Sequence, residues 1–416
     1  MGKTGLEIFY EDRLRGKAGS FFRVRDALGN VLEEKGGEPP KIGEPLRLTI
    51  DAEFQRYFYG RLERGLLDLG RKVAVGLAIN PQTGAVLALI NLPSFDNNAF
   101  GARGMSRERE TILTSPLKPL FNRAISGFYT PGSIIKPLVA TAALEEGVID
   151  PDRYIFSPGF LDVPNPYNPE KPTRFLDWRR QGDVNLVSAI AQSSNVYFYL
   201  VGGGSPGTKE GVGIKGLGVR RLEEWWRKFN LGSLTGIDLP GEAAGSLPSP
   251  EARERKTGEP WLLGDTYNVS IGQGELLVTP LQLVSYIGAI ANGGKVYQPF
   301  LTKDGGDSKV ISDISYAASS IREVQEGMIQ AVRAPLGTAH FMSSLSFKVA
   351  AKTGTAQIKN KAEENAFFVG YAPADDPKIA VLVLVENARE GSLNAVPIAK
   401  DVLEWYYENR IMNSEL

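Results

Sequence analysis

The segment YTPGSIIKPL, Tyr129 to Leu138, sets Ser133 and Lys136 three residues apart, directly after a Pro-Gly pair. Ile134, Ile135, Leu138, Val139, Ala142, Ala143 and Leu144 make the run that follows apolar nearly all round. A helix of that composition is buried. Pro137 fits it only within the first turn, where backbone N–H groups lack intrahelical partners. Ser133 is therefore expected at a helix N-terminus, with Lys136 on the same side one turn on. Desolvation lowers the pKa of a buried ammonium. A lysine pushed toward neutrality can take a proton from a hydroxyl, so Ser133 is a candidate nucleophile and Lys136 its candidate base. The helix N-terminus adds a positive dipole end and free N–H groups for a developing oxyanion. Alone, S-x-x-K is a frequent chance pattern.

Two further elements follow in order. Ser193-Ser194-Asn195 ends an apolar helical run, and Lys352-Thr353-Gly354 lies on a predicted strand in KVAAKTGTAQI. Ser193 can relay a proton toward a leaving amine. Asn195 can donate to a substrate amide and hold Lys136. Lys352 and Thr353 offer a cation and a hydroxyl to a substrate carboxylate, and Gly354 permits close backbone approach. The N–H of Thr355, with that of Ser133, would form an oxyanion hole. The ordered set S-x-x-K, S-x-N, K-T-G is the serine acyl-transferase signature shared by penicillin-binding proteins and β-lactamases.

The rest of the composition narrows the chemistry. The chain has 416 residues, net charge -1, no cysteine and one histidine, His340. A Cys nucleophile, a Cys-ligated metal and a disulfide framework are excluded. A near-neutral charge gives no reason to expect nucleic acid or an anionic membrane surface as the main partner. His340 lies in a polar, small-residue stretch and reads as a surface or loop residue. No apolar run is long enough to span a bilayer, and no signal peptide opens the chain. The charged opening MGKTGLEIFYEDRLRGKAG reads like the interior of a longer protein.

The elements that must hold these residues are partly legible. Phe54, Tyr57, Phe58 and Leu62 recur at helical spacing behind Asp51, a plausible N-cap. KVAVGLAINPQTGAVLALINLP reads as a β-hairpin, and NAFFVGYAP with KIAVLVLVEN makes a second near the C-terminus. A helix, PIAKDVLEWYYEN, closes the domain. Strands from both ends around a helical middle predict an α+β fold built on one antiparallel sheet. SIIKPLVATAALEEG and NLVSAIAQSSNVYFYLV are predicted helices. Residues 151 to 183, rich in proline, are expected to be an irregular loop. VGGGSPGTKEGVGIKGLG lacks a following GK[ST] and reads as a flexible surface loop. Residues 1–47, with strand-like pieces such as FFRVRD, look like part of a small module or linker.

The chain resembles a class B penicillin-binding protein, most closely the penicillin-binding protein 2 type of the elongation machinery. The resemblance rests on GLEIFYEDRLRGKAG, LTIDAEFQ, AINPQTGAVLAL, NRAISGFYTPGSIIKP, SSNVYFY, GIDLPGE, IGQGELLVTPLQL and KTGTAQ, which match family stretches in order. It implies the penicillin-binding transpeptidase fold over 48–416, with 1–47 as a partial pedestal or linker. It also implies a D,D-transpeptidase. Ser133 would attack the D-Ala-D-Ala bond of a peptidoglycan stem peptide, and a neighbouring stem amine would resolve the acyl-enzyme. β-Lactams would acylate the same serine. The implied partners are a SEDS-family glycosyltransferase such as RodA and, at the pedestal, MreC. The implied location is the inner membrane, with the catalytic domain periplasmic and the anchor outside this sequence. No cofactor is implied. Some family members bind zinc through Asp, His and Cys after the nucleophile helix, and the lack of Cys and His in 151–195 predicts no metal here. Where many relatives carry His before the aromatic pair after KTG, this chain has Asn365.

Three rival readings share the motifs. A β-lactamase would need a deacylating glutamate. EGSLN, Glu390 to Asn394, matches the pattern of one class but falls after KTG in a turn beyond the last strands, and reads as coincidence. A β-lactam sensor would lack the GLExxY linker. A division-type transpeptidase would differ in biology and not in chemistry.

Overall fold

The apolar runs at the two ends of the domain build one sheet. In the computed structural model, which describes residues 2–101, 104–165, 168, 170–205, 213–303, 308–357 and 364–414, five antiparallel strands run in the order Ala350–Gln357, Glu364–Ala372, Ile379–Ala388, Ala74–Ile79, Val86–Leu92. The KTG strand, Ala350–Gln357, is therefore an edge strand. Its register pairs Lys352 with Val369 and Gln357 with Glu364.

Both faces of the sheet are covered. Val75, Leu77, Phe367 and Val369 pack on the helical middle of the chain, with Ile134, Leu138 and Tyr286. Their neighbours Ala74, Ala78, Phe368 and Val381 point the other way, against Phe58 and Val402 of the helices Ala52–Leu69 and Val396–Tyr406. A sheet buried on both faces needs near-continuous apolar strands, which is why AVGLAI and IAVLVLV carry so few polar positions. The Asp51 cap is made, its side chain accepting from Phe54 N–H at 3.1 Å. Gly70, at φ +63, ends the helix.

Two sequence expectations are corrected. NLVSAIAQSSNVYFYLV is two helices, Leu186–Ala191 and Asn195–Gly203, and not one. The break falls on Ser193, whose φ of +59 belongs to the left-handed region and ends the first helix. Ser194 then caps the second, accepting from Tyr197 N–H at 3.3 Å. Residues 151 to 183 are not simply irregular. They hold Ile155–Ser157, Phe160–Val163 and Thr173–Leu176, and two short ladders form when Ile155–Ser157 pairs with Gly182–Val184 and Phe160–Val163 with Thr173–Leu176. Of the expected glycine-rich surface loop, residues 201–218, the stretch 206–212 lies outside the described residues; Val201 to Gly203 instead end the helix Asn195–Gly203, and Ile214 and Leu217 are buried.

At the N-terminal end, Phe21–Arg25 and Val31–Gly36 form an exposed hairpin after two short helices with no buried residue. Among the described residues, no helix is long and apolar enough to cross a membrane.

Candidate active site

Ser133 stands in a 3-10 turn, Gly132–Ile135, that runs straight into the α-helix Lys136–Glu145. Residues three apart in a 3-10 turn eclipse one another, so Ser133 and Lys136 share a side more strictly than an α-helical start would give. Gly132 takes φ +58, and a Cβ there would lie 2.5 Å from the Thr355 carbonyl oxygen. A Cβ on Gly354 would lie 2.8 Å from Ile134 Cγ2. The KTG strand can thus lie against the nucleophile turn only because both positions are glycine.

The three motifs meet. Ser133, Ser193, Asn195, Thr353, Gly354 and Thr355 line one cleft of about 550 Å³. Lys136 and Lys352 lie beneath it, each 0% exposed. Lys136 Nζ donates to Asn195 Oδ1 at 2.7 Å and to the Ser193 carbonyl at 2.8 Å, and stands 3.3 Å from Ser193 Oγ. Lys352 Nζ donates to Ser193 Oγ at 2.8 Å and to the Thr353 carbonyl at 2.9 Å. Among the described residues, the Ser133 hydroxyl has no hydrogen-bond partner, so it is free to turn toward either a substrate or Lys136.

Burial sets the charge of both lysines. It pushes Lys136 down to about 7, against an opposing pull from the charge of Asp177. Lys352 is held well below its ordinary value of 10.5, first by burial and then by Lys136. Two ammonium groups this close in a dry site do not both stay charged at neutral pH. A neutral Lys136 keeps two N–H groups for its two short carbonyl bonds and a lone pair for a proton.

Ser193 is the hinge of this arrangement. Its left-handed backbone costs about 1 to 2 kcal/mol in a residue with a side chain. That conformation turns the Ser193 carbonyl onto Lys136 while the hydroxyl meets Lys352. The oxyanion donors follow from backbone direction. The Ser133 N–H lies in the first turn, without an intrahelical partner. The Thr355 carbonyl accepts from Gln273 Nε2 at 3.2 Å, on the side away from the sheet. A strand residue presents its N–H and C=O to the same side, so the Thr355 N–H also faces the cleft.

Comparison with known proteins identifies the architecture. Residues 74–404 match the model of the penicillin-binding protein transpeptidase domain, and residues 1–48 match that of the penicillin-binding protein dimerisation domain. The chain belongs to the penicillin-binding protein transpeptidase family. It is 34% identical to the peptidoglycan D,D-transpeptidase MrdA of Haemophilus influenzae, over 100% of this chain and 64% of that protein. It therefore spans a little under two thirds of that relative's length. The crystal structure of Pseudomonas aeruginosa PBP2 in complex with WCK 5153 is 34% identical, with a TM-score of 0.81 over 99% of this chain and 85% of that one. The complex of PBP2 and MreC from Helicobacter pylori is 28% identical, with a TM-score of 0.84 over 99% of this chain and 73% of the other.

In this penicillin-binding protein chain several site residues carry no signal in the motifs. Asp177 is the first. Its Oδ2 accepts from the N–H groups of Asn195 and Val196 at 2.9 and 3.0 Å and from the hydroxyls of Ser194 and Ser157 at 3.0 and 3.2 Å. It holds the S-x-N helix by its N-terminus, where a carboxylate is favoured. Trp178, half exposed, lines the cleft beside it. Gln273 sits in the quoted IGQGELL stretch, but nothing in that stretch marks it as a partner of the KTG strand. The segment Arg389 to Leu393 forms a cleft wall, so EGSLN borders the site. Gly391 N–H donates to Thr355 Oγ1 at 3.2 Å. Asn365 lies elsewhere, in a hollow with Tyr129 and Glu386. His340 is exposed, bonds the Val332 carbonyl at 3.2 Å, and does not line the cleft.

Proposed function

We propose that the chain carries a serine D,D-transpeptidase activity that crosslinks peptidoglycan stem peptides during cell elongation, and that β-lactams block it by acylating Ser133. The observation that carries this reading is the convergence of two fully buried lysines on Ser193, beneath a cleft lined by Ser133 and an edge strand. The name of the H. influenzae relative supports the same activity.

The residues take these roles. Neutral Lys136 accepts the Ser133 proton as Ser133 Oγ bonds to the carbonyl carbon of the penultimate D-alanine. The N–H groups of Ser133 and Thr355 stabilise the oxyanion, each donor being worth about 3 to 4 kcal/mol of barrier. Collapse breaks the C–N bond. Ser193 gives its proton to the leaving D-alanine amine and is reprotonated from Lys136. A stem-peptide amine then attacks the ester, loses a proton to the same relay, and returns the Ser133 hydroxyl. The terminal carboxylate of the donor binds at Thr353, above the buried Lys352. That anion favours the charged form of Lys352 and, by repulsion between the two lysines, the neutral form of Lys136. Substrate binding thereby prepares the base.

The domain assignment and setting follow the same reading. Residues 1–47 are part of a pedestal or linker, which the 1–48 match supports, and 48–416 form the catalytic domain. The catalytic domain works outside the cytoplasmic membrane, where peptidoglycan is. MreC is a partner by analogy with the H. pylori complex, and a SEDS glycosyltransferase of the RodA type is the expected source of uncrosslinked strands.

The test is release of D-alanine from a soluble D-Ala-D-Ala donor, with mass analysis of the acyl product. Transfer to an added amine, abolished in Ser133→Ala, is the expected result. Donor turnover that persists in Ser133→Ala would sink the proposal.

A further inference from the structure

Outside the cleft, the segment that leads into the nucleophile turn and the ends of two strands enclose a second hollow of about 420 Å³. Small-ligand sites span about 300 to 1,000 Å³. Its inner side is one hydrogen-bonded unit. Glu386 Oε1 accepts from the Tyr129 hydroxyl at 2.6 Å and from Arg123 Nε at 3.2 Å. The same guanidinium donates to the carbonyls of Leu117 at 2.6 Å and Lys118 at 3.2 Å, and stands 5.8 Å from the Phe121 ring centroid. Arg123 and Tyr129 are buried. The wall is thus in place before a ligand arrives, which lowers the ordering cost of binding.

The remaining groups identify the ligand chemistry. Phe121 and Phe128 line the hollow with exposed rings. Lys118 is exposed and makes no ion pair among the described residues. Asn365 Oδ1 accepts from the Asn387 N–H at 3.3 Å. That leaves the Asn365 side-chain NH2 and the Asn387 side-chain amide without partners among the described residues. Glu386 adds a second carboxylate oxygen. Donors and acceptors therefore stand together around two aromatic faces.

Three ligand classes do not fit. An isolated phosphate or carboxylate would meet one free cation and the Glu386 carboxylate together. A purely apolar group would strip water from two amides and a carboxylate. An extended peptide needs a free strand edge, and Glu364–Ala372 is paired on both sides, with Ala350–Gln357 and Ile379–Ala388. A pyranose ring fits. Its C–H face suits an aromatic ring, whose face is the negative side of its quadrupole. Its hydroxyls both donate and accept, and an N-acetyl group offers an amide to the two asparagines.

Register ties the hollow to the cleft. Asn365 stands opposite Ala356, whose neighbours Thr355 and Gln357 line the cleft. Neighbouring strands lie about 4.7 to 4.9 Å apart, so the hollow is one strand away from the edge that faces the stem peptide.

We propose that the hollow around Phe121, Phe128, Asn365 and Asn387 binds an N-acetylated sugar, and that this sugar belongs to a peptidoglycan glycan strand. The sugar site stands on the hollow alone. Its assignment to a glycan strand rests on the transpeptidase reading.

Calorimetric titration tests it with three probes: the β-1,4-linked tetramer of N-acetylglucosamine, the glucose tetramer of the same linkage, and glycan strands stripped of their stem peptides. Each is titrated into the wild type before and after penicillin has acylated Ser133. The N-acetylated tetramer should bind with the same affinity in both states. The glucose tetramer should bind about fivefold more weakly, the scale of one hydrogen bond. The stripped strands should bind at least as tightly as the N-acetylated tetramer. Phe128→Ala should weaken the tetramer about two- to tenfold, the scale of one aromatic contact. Asn365→Ala should bring the two tetramers to the same affinity. Thermal melts check that both variants are folded. No binding of the N-acetylated tetramer would overturn the sugar site, as would binding that penicillin abolishes or binding unchanged in Phe128→Ala. Binding of the tetramer without binding of the strands would overturn the assignment to a glycan strand and leave a site for a free saccharide. A wild type that binds the tetramer but is not acylated by penicillin would overturn the transpeptidase reading and not the sugar site.

Discussion

Lys352 donates to the Ser193 hydroxyl at 2.8 Å, and Lys136 approaches the same oxygen to 3.3 Å from the opposite motif. One serine thus joins the S-x-x-K helix to the KTG strand. The proposed relay from Lys136 to the leaving amine passes through this serine, and the charge of Lys136 lowers Lys352 further than burial alone.

Replacing the base should separate stability from activity. Lys136→Met keeps the volume and removes a buried amine that lacks a carboxylate partner in direct contact. Acylation by penicillin should fall about 10²- to 10⁴-fold, the usual contribution of a positioned base, with no loss of thermal stability. Parallel acylation kinetics and thermal melts check this. A variant that loses stability and activity together would indicate a structural role instead.

The lowered Lys136 pKa fixes the pH behaviour. Acylation should rise with pH and level off above about 7, as Lys136 loses its proton. The linkage to stability has the same direction. Between about 7 and the ordinary value of 10.5 the unfolded chain holds a proton that the folded chain has released. Folding stability should therefore rise with pH across that window. Lys352 is lowered as well and adds in the same sense. Denaturant midpoints measured from pH 7 to 10 test it, and Lys136→Met should flatten the slope.

Asp177 should prove to be a positioning residue. Asp177→Asn removes the carboxylate that caps Asn195–Gly203, at a cost of about 1 to 2 kcal/mol. It also removes the negative charge that holds the Lys136 pKa up. The acylation profile should therefore shift to lower pH. A loss of stability with an unmoved profile would leave Asp177 a cap and nothing more.

Much of this site was legible because its chemistry is local. Ser133 and Lys136 lie within one turn, and the apolar residues around them announce burial. The sheet was legible because apolar runs of strand length flank turn residues at both ends of the domain. What stayed hidden depends on tertiary contact. Ser193 breaks a helix inside an apolar run, and its left-handed backbone leaves no mark on residue type. Asp177 lies in a proline-rich stretch where any of several polar residues could have reached the S-x-N helix. EGSLN was read as a coincidental match from its place after KTG, and chain order does not show that the Glu364–Ala372 and Ile379–Ala388 strands return it to the cleft.

Gly391 illustrates the same point and gives a further test. A Cβ there would lie 2.4 Å from the Gly354 carbonyl oxygen and 2.6 Å from that of Phe367. Gly391→Ala should push the segment off the KTG strand and slow acylation at least about tenfold. Gly60, inside the Ala52–Leu69 helix, has open space at its Cβ. Gly60→Ala should instead stabilise the fold by about 0.5 to 1 kcal/mol without altering the acylation rate. Equal kinetics for the two variants would show that the contact with Gly391 does not position the strand.

The backbone at Ser193 can be separated from its hydroxyl. Ser193→Gly and Ser193→Ala both remove the relay and should both slow acylation about 10²-fold or more. Only glycine tolerates φ near +59 without strain. Ser193→Gly should therefore be the more stable of the two by about 1 kcal/mol. Denaturant unfolding of the pair measures this difference, and a more stable alanine variant would argue against a strained turn.

The central claim is that Ser133 is a nucleophile prepared by the two lysines. Intact-mass spectrometry after mixing with a penicillin tests it most directly. The expected result is a stable adduct of one drug per chain, absent in Ser133→Ala and persisting for hours. An adduct that forms equally on Ser133→Ala, or rapid drug hydrolysis with no adduct, would contradict it.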